Sequence, residues 1–316
     1  MGFSQKDSKT YSMSRLLAIN YESIENYRDI QSLFWNIGYQ KSYLLAQIPP
    51  SLDSKLKEKI TSLNISSDKQ YKLMTQLAEF HQRKEIYNFG LKTPQSNFNM
   101  AIKEVYARDK RLSLAVSNVS EKPLKKIDDL TPEDFPGPDS FDAGNLTESN
   151  LADSFWKYIE FQARTAAKIA LVGRNNYLFG HKNKKTNLAY ILEKIFKELK
   201  SGARCEEFLI YCSPKDIEEI KSQSQLIINF FNSLKINHKP KYGIKYLLMS
   251  EHTYERNTDL HQRFLLTNYS AITMGDEIGG PTRSLYQAIT DNVLISSLHE
   301  YWLEQKHGLE LLLEIS

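Results

Sequence analysis

From residue 151 onward the chain alternates short apolar runs with amphipathic stretches, and that alternation limits its fold more than any other feature. Residues 151–165 carry Phe155, Trp156, Ile159 and Phe161 at helical spacing. Lys168-Ile-Ala-Leu-Val172 reads as a buried strand closed by Gly173. A loop over 174–185 leads to a helix at about 186–200. A second strand covers 206–212, and Ser213-Pro214 opens the next helix, with serine at the cap and proline in the first turn. A third strand covers 243–249. Strands at about 262–267 and 270–274 follow close together, and helix resumes near Ser284 and runs through Leu303. Strands alternating with helices predict an α/β architecture, a mixed sheet flanked by helices, over residues 151–316.

The N-terminal half is less regular. Arg15-Leu-Leu-Ala-Ile19, 43–48 and 111–116 are strand-like, whereas 21–37, 52–60 and 67–87 show helical spacing, with Ser67 as a cap. These features predict a mainly helical α+β domain over residues 1–116. Residues 117–150 concentrate proline, glycine and acid around Asp128-Asp129, Pro132-Glu-Asp-Phe-Pro and Asp142-Ala-Gly144. That composition predicts an acidic linker, with a phosphate mimic over a basic cleft as the sharper alternative.

The chain has 316 residues, 41 % of them hydrophobic and 11 % aromatic, which is enough for a packed core and excludes dominant disorder. A net charge of +3 does not advertise nucleic acid across the whole chain, although a local basic patch remains open. Two cysteines, Cys205 and Cys212, are too few for a disulfide scaffold or a cysteine metal site. His238, His299 and His307 lack metal-ligand spacing. There is no signal-like apolar segment and no run of about 18 apolar residues. The expectation is a soluble cytoplasmic protein with no membrane association, and the abundance of Lys, Asn and Ile suits an AT-rich bacterial genome.

The chemistry concentrates near His261-Gln-Arg263-Phe-Leu-Leu-Thr-Asn268. Residues i and i+2 of a strand share a face, so His261 and Arg263 are expected to project together at the head of a buried strand. Arg174, His181, Lys182, Lys184 and Lys185 form a second cationic group ahead of a helix N-terminus, a pattern that suits a phosphate backbone. Gly279-Gly-Pro-Thr-Arg283 follows the first group and is placed to line the same pocket.

The spacing of His261, Arg263, Asn268 and Gly275 resembles the phospholipase D-like superfamily, whose motif is His-x-Lys, four residues, Asp, six residues, then Gly and a small residue. The resemblance covers about half of the chain. Here arginine stands for lysine, Asn268 for aspartate, and Asp276 for the small residue. The resemblance implies His261 as nucleophile, Arg263 as phosphate clamp and Asn268 as orienting group, with no metal and no cofactor. That chemistry uses two histidines, so a single motif implies a homodimer. The implied activity is a phosphodiesterase or nuclease acting on DNA or RNA. Relatives of this kind resemble components of bacterial anti-phage defence, with a partner ATPase or sensor. The alternative is a catalytically inactive module that binds nucleic acid, a phosphorylated ligand or a protein partner in a multi-protein complex. An echo of the frame at His81-Gln-Arg83 and Asn88 is followed by polar residues and reads as a helix end.

Overall fold

The computed structural model describes residues 15–38, 41, 43–88, 97–109, 111–136, 141–142, 148–173, 178–199, 205–212, 217–238, 243–248, 263–274, 285–289, 291–303 and 310–315. The chain divides into two compact units, with the boundary between Pro138 and Asp139.

The N-terminal unit is built on a five-stranded sheet. Its strands are β1 (Arg15–Ile19), β2 (Tyr43–Ala46), β3 (Ile86–Tyr87), β4 (Leu112–Val116) and β5 (Leu124–Lys125), in the order β3-β2-β1-β4-β5. Every pairing in this sheet is parallel. Parallel strands are covered on both faces, which is why β1 and β2 are unbroken apolar runs. Four helices supply the crossovers: α1 (Tyr27–Trp35), α2 (Leu52–Ser62), α3 (Ser67–Gln82) and α4 (Phe98–Arg108). Asn26 starts α1 by accepting from the Arg28 and Asp29 amides, while Asp29 accepts from the Asn26 amide. Ile30, Leu33 and Phe34 of α1, Leu56 and Ile60 of α2, and Leu73, Leu77 and Phe80 of α3 then join Leu17, Leu45 and Val116 in one core.

This corrects the expectation of a mainly helical α+β domain: the unit is α/β, and its helices serve a parallel sheet. Helix α3 stops at Gln82, where Arg83 caps it and Lys84 turns left-handed at φ 59°, so the sequence can re-enter the sheet as β3. His81 and Gln82 lie in the last turn of α3, so the echoed frame is a helix end. The expected linker is also corrected. Residues 117–136 fold onto the sheet through β5, and Ile127, Leu130 and Phe135 pack against the core. The Phe135 ring meets Tyr43 edge-on at 5.7 Å, and the Tyr43 hydroxyl donates to the Asp134 carbonyl at 2.9 Å. Asp128, Asp129 and Glu133 between these apolar residues stay exposed while the segment covers the sheet, whereas Asp134 is mostly buried against Lys125.

The C-terminal unit carries an eight-stranded mixed sheet in the order β13-β9-β8-β7-β10-β11-β12-β6. Strands β7 (Lys168–Val172), β8 (Glu207–Cys212) and β9 (Gly243–Leu248) are parallel. Antiparallel partners are β10 (Arg263–Thr267), β11 (Ala271–Met274), β12 (Leu285–Ala288), β6 (Phe141–Asp142) and β13 (Glu310–Ile315). The helices are α5 (Glu148–Thr165), α6 (Asn187–Leu199), α7 (Ile217–Ser222), α8 (Ser224–His238) and α9 (Asn292–Leu298), the last continued by a wide turn at His299–Leu303. On one face Val172, Leu209, Tyr211, Phe264 and Leu266 pack against Ile295, Leu298 and Trp302. On the other, Phe208 meets Phe196 of α6 at 5.2 Å, and Phe196 meets Phe231 of α8 at 5.6 Å. The unit is therefore α/β with helices on both faces, as the alternation predicts. The helix expected from Ser284 begins only at Asn292, because Tyr286 and Ala288 are recruited to pair with β11.

Substituting Phe135→Ala is expected to cost about 1–3 kcal/mol of stability, since a partly buried ring and its edge contact are lost. Chemical denaturation followed by circular dichroism checks this; a solvated linker gives no change.

Candidate functional site

Strand register decides what can meet in the C-terminal unit. Strand β10 runs antiparallel to β7, with Phe264 opposite Val172 and Thr267 opposite Ile169. Arg263 thus stands at the carboxyl edge of the parallel strands, level with the residue after Val172. This is the edge where open α/β sheets place their ligands. Leu265 pairs with Leu171, which shares its face with Ile169 and hence with Phe208, on the side of α6 and α8. Arg263 shares that face by alternation and is partly buried.

Asn268 lies elsewhere. Five residues along a strand span about 16 Å, which carries it to the amino edge. There its Oδ1 accepts the Lys168 amide at 2.6 Å. The turn it begins is closed by Thr267, whose hydroxyl meets Ser270 Oγ at 2.9 Å and accepts the Ser270 amide at 3.1 Å. Asn268 therefore pins the β10–β11 turn to the start of β7 and is remote from Arg263. Beside it, Glu207 bridges Lys245 at 2.6 Å and Lys168 at 3.4 Å. Burial pushes the Glu207 carboxyl up, but the hydrogen bond and charge of Lys245, with the charge of Lys168, hold it below its ordinary value.

The second cationic group forms a hairpin-like loop after β7. Phe179 bridges Lys185, the Gly180 amide donates to the Lys184 carbonyl at 2.8 Å, and the Thr186 amide donates to the Leu178 carbonyl at 2.9 Å. Lys182 and Asn183 sit at φ 57°, a left-handed conformation that lysine seldom adopts, so the tip is turned by the closed loop below it. The base is held on α8 by the Phe179–Phe230 edge contact at 5.8 Å and by Gln223 Nε2, which donates to the Phe179 carbonyl at 3.4 Å. Helix α8 covers the face that Arg263 shares.

The lysines of this loop differ. Lys182 and Lys184 are exposed, and their ammonium groups have no hydrogen-bond or ion-pair partner among the described residues. Lys185 binds Glu193 at 2.7 Å and lies 5.7 Å over the Tyr190 ring and 5.5 Å over Phe230. Through these contacts Lys185 braces the loop against α6. The Thr186 hydroxyl accepts the Ala189 amide at 3.4 Å, so the electropositive start of α6 lies at the foot of the loop. Tyr190, one turn into α6, is 41 % exposed beside Lys185. Its exposure is not legible in sequence, because a tyrosine inside an amphipathic helix looks like core.

His181 opens the turn at the loop tip. His261, Arg174, Gly275 and Arg283 lie outside the described residues. Among the described residues, no group of three or more His, Cys, Asp and Glu side chains could hold a metal ion, and no helix is long and apolar enough to cross a membrane. Cys205 offers no nucleophile, because burial pushes its thiol up to about 12.

The N-terminal unit has its own strand-order reversal between β1 and β4. The Asn20 amide donates there to the Val116 carbonyl at 2.9 Å, and the Ser117 hydroxyl donates to Asn99 Oδ1 at 2.6 Å. The buried polar side chains at this edge, Asn20, Ser23 and Ser117, are neutral.

No protein-family model and no curated protein matches the chain. A solved structure, that of TrmBL2, an archaeal chromatin protein described as showing a novel mode of DNA binding, is similar over 84 % of each chain at 13 % identity. Its TM-score of 0.29 is too low to carry an argument about this chain.

Two outcomes test this layout. Asn268→Ala is expected to cost about 1–3 kcal/mol by orphaning the Lys168 amide, while Asn268→Asp keeps an acceptor and most of that stability. The lowered carboxyl of Glu207 contributes stability that is present above its unfolded value and lost as pH falls through the folded one. Glu207→Gln is therefore expected to flatten the acid limb of a stability-against-pH curve and leave the neutral-to-alkaline slope unchanged.

Proposed function

We propose that the C-terminal unit is a phospholipase D-like module that binds the phosphodiester backbone of a nucleic acid at its carboxyl sheet edge. The observation that carries this reading is the pairing of Phe264 with Val172, which brings Arg263 to that edge on the face shared with α8 and the Lys182–Lys184 loop. A guanidinium fork suits phosphate oxygens, and the unpartnered ammonium groups suit the next phosphates along a chain. Anion binding at the start of α6 adds to the same field.

Hydrolysis is the second reading, favoured by the position of His261 two residues before Arg263 in a motif of matching spacing. His261 Nε2 or Nδ1 attacks phosphorus and displaces one ester oxygen, giving a phosphohistidine that water then opens. The second histidine, which protonates the leaving oxygen, comes from another copy of the chain across a two-fold axis. Asn268 takes no part in either reading; its amide serves the β10–β11 turn. A role inside a defence assembly, with an ATPase or sensor controlling the module, belongs to this second reading.

Fluorescence anisotropy with labelled DNA and RNA tests the first reading. Arg263→Ala is expected to weaken binding by about tenfold or more. Replacing Lys182 and Lys184 by alanine is expected to reduce the slope of log affinity against log salt by about 1.4 on a single strand. Binding that none of these substitutions changes overturns the assignment. Cleavage in EDTA that His261→Ala abolishes establishes hydrolysis; binding without cleavage leaves the module as a binder.

A further inference from the structure

Resting on the phosphodiester reading above, we infer that the preferred ligand is a single strand, with Tyr190 as the platform on which one base stacks. A lone exposed tyrosine is ordinary on a protein surface and by itself means nothing. Its neighbourhood sets this one apart. The ring stands one helical turn beyond Thr186, at the foot of the loop whose tip carries the two unpartnered lysines. Leu188, Ala189, Ile191 and Leu192 of the same turn are buried, so the backbone that carries Tyr190 is fixed in the core. Lys185 is held over the ring by Glu193, and its charge is already neutralised there. Lys185 takes one face of this ring on a rigid helix, so a base would take the opposite face, beside the loop that carries Lys182 and Lys184.

Proteins that bind single strands use this pairing of a cationic track with an aromatic ring, because every base presents a π-face. In a duplex the base faces are already stacked on one another, and only phosphates and groove edges are accessible. The lysines would serve both forms of nucleic acid, but the ring serves only the unpaired one. Strand selection thus resides in Tyr190, and charge neutralisation in Lys182 and Lys184. Stacking needs the ring and not the hydroxyl, so phenylalanine replaces tyrosine without loss, whereas leucine keeps bulk and loses the π-face.

The test is anisotropy of the full chain with labelled 20-nucleotide oligothymidine and with a 20-base-pair duplex, at one ionic strength. Tyr190→Leu is expected to weaken single-strand binding about tenfold and leave duplex binding unchanged, with Tyr190→Phe behaving as the unaltered protein. The thermal midpoint is expected to be unchanged for Tyr190→Phe and slightly lowered for Tyr190→Leu, which gives up the Lys185 contact over the ring. Equal losses on both ligands, or no loss on either, overturn the platform. If the Lys182 and Lys184 double substitution still weakens both ligands in that case, the phosphodiester reading survives without it. If the chain binds neither ligand, both readings fall together.

Discussion

The antiparallel pairing of β10 with β7 governs what the C-terminal unit can present. Parallel strands β7, β8 and β9 send their carboxyl ends to one edge, and a further parallel strand would send Arg263 to the other. Because β10 turns back beside β7, its first residue arrives where the loops after β7 and β8 emerge. The same reversal carries Asn268 to the opposite edge, where it binds the first amide of β7. Two residues close together in sequence are thus split by the sheet into one at the carboxyl edge and one that holds a turn. The uncharged side chain of Asn268 suits this second task, since a backbone amide needs an acceptor oxygen and a carboxamide provides one.

Much of this unit was legible because buried strands announce themselves as short apolar runs. β7, β8, β9 and the β10–β11 hairpin were all read within a few residues of their ends. The failures share a cause. β3 and β5 are two residues long, β12 is a neutral Leu-Tyr-Gln-Ala stretch, and β13 follows a helix; each becomes a strand only because a neighbouring strand offers its edge. Pairing is a tertiary contribution that a local pattern does not contain. The N-terminal unit hides its class for the same reason: its helices outnumber its long strands in sequence, while its parallel sheet joins distant segments, with Leu16 paired to Leu112.

The supposed linker shows how composition misleads when apolar residues are sparse. Between Leu124 and Phe135 only a few side chains are apolar, yet each reaches the sheet, and the acids between them are tied locally. Asp134 accepts from the Thr131 amide and pairs with Lys125 at 2.5 Å. Ser120 donates to Asp129. Acidic composition predicts solvation, which holds for Asp128, Asp129 and Glu133 but not for Asp134 or for the backbone that carries them. Adjacent cations likewise differ in a way composition does not show, for Lys185 is next to Lys184 in sequence but is held by Glu193 and two aromatic rings.

That difference among adjacent lysines is what gives the loop an asymmetric chemistry. If all three ammonium groups pointed to solvent, the loop would be a flexible cloud of charge, strongly screened and with no orientation. Binding Lys185 inward ties the loop base to α6 and α8 and so fixes where the tip stands relative to the Tyr190 ring. The left-handed backbone at Lys182 and Asn183 follows from the same closure, since Gly180 accepts the Asn183 amide and donates to Lys184 within a tight ring of backbone bonds. One neutralised lysine thereby gives two others a defined position above the helix that carries Tyr190.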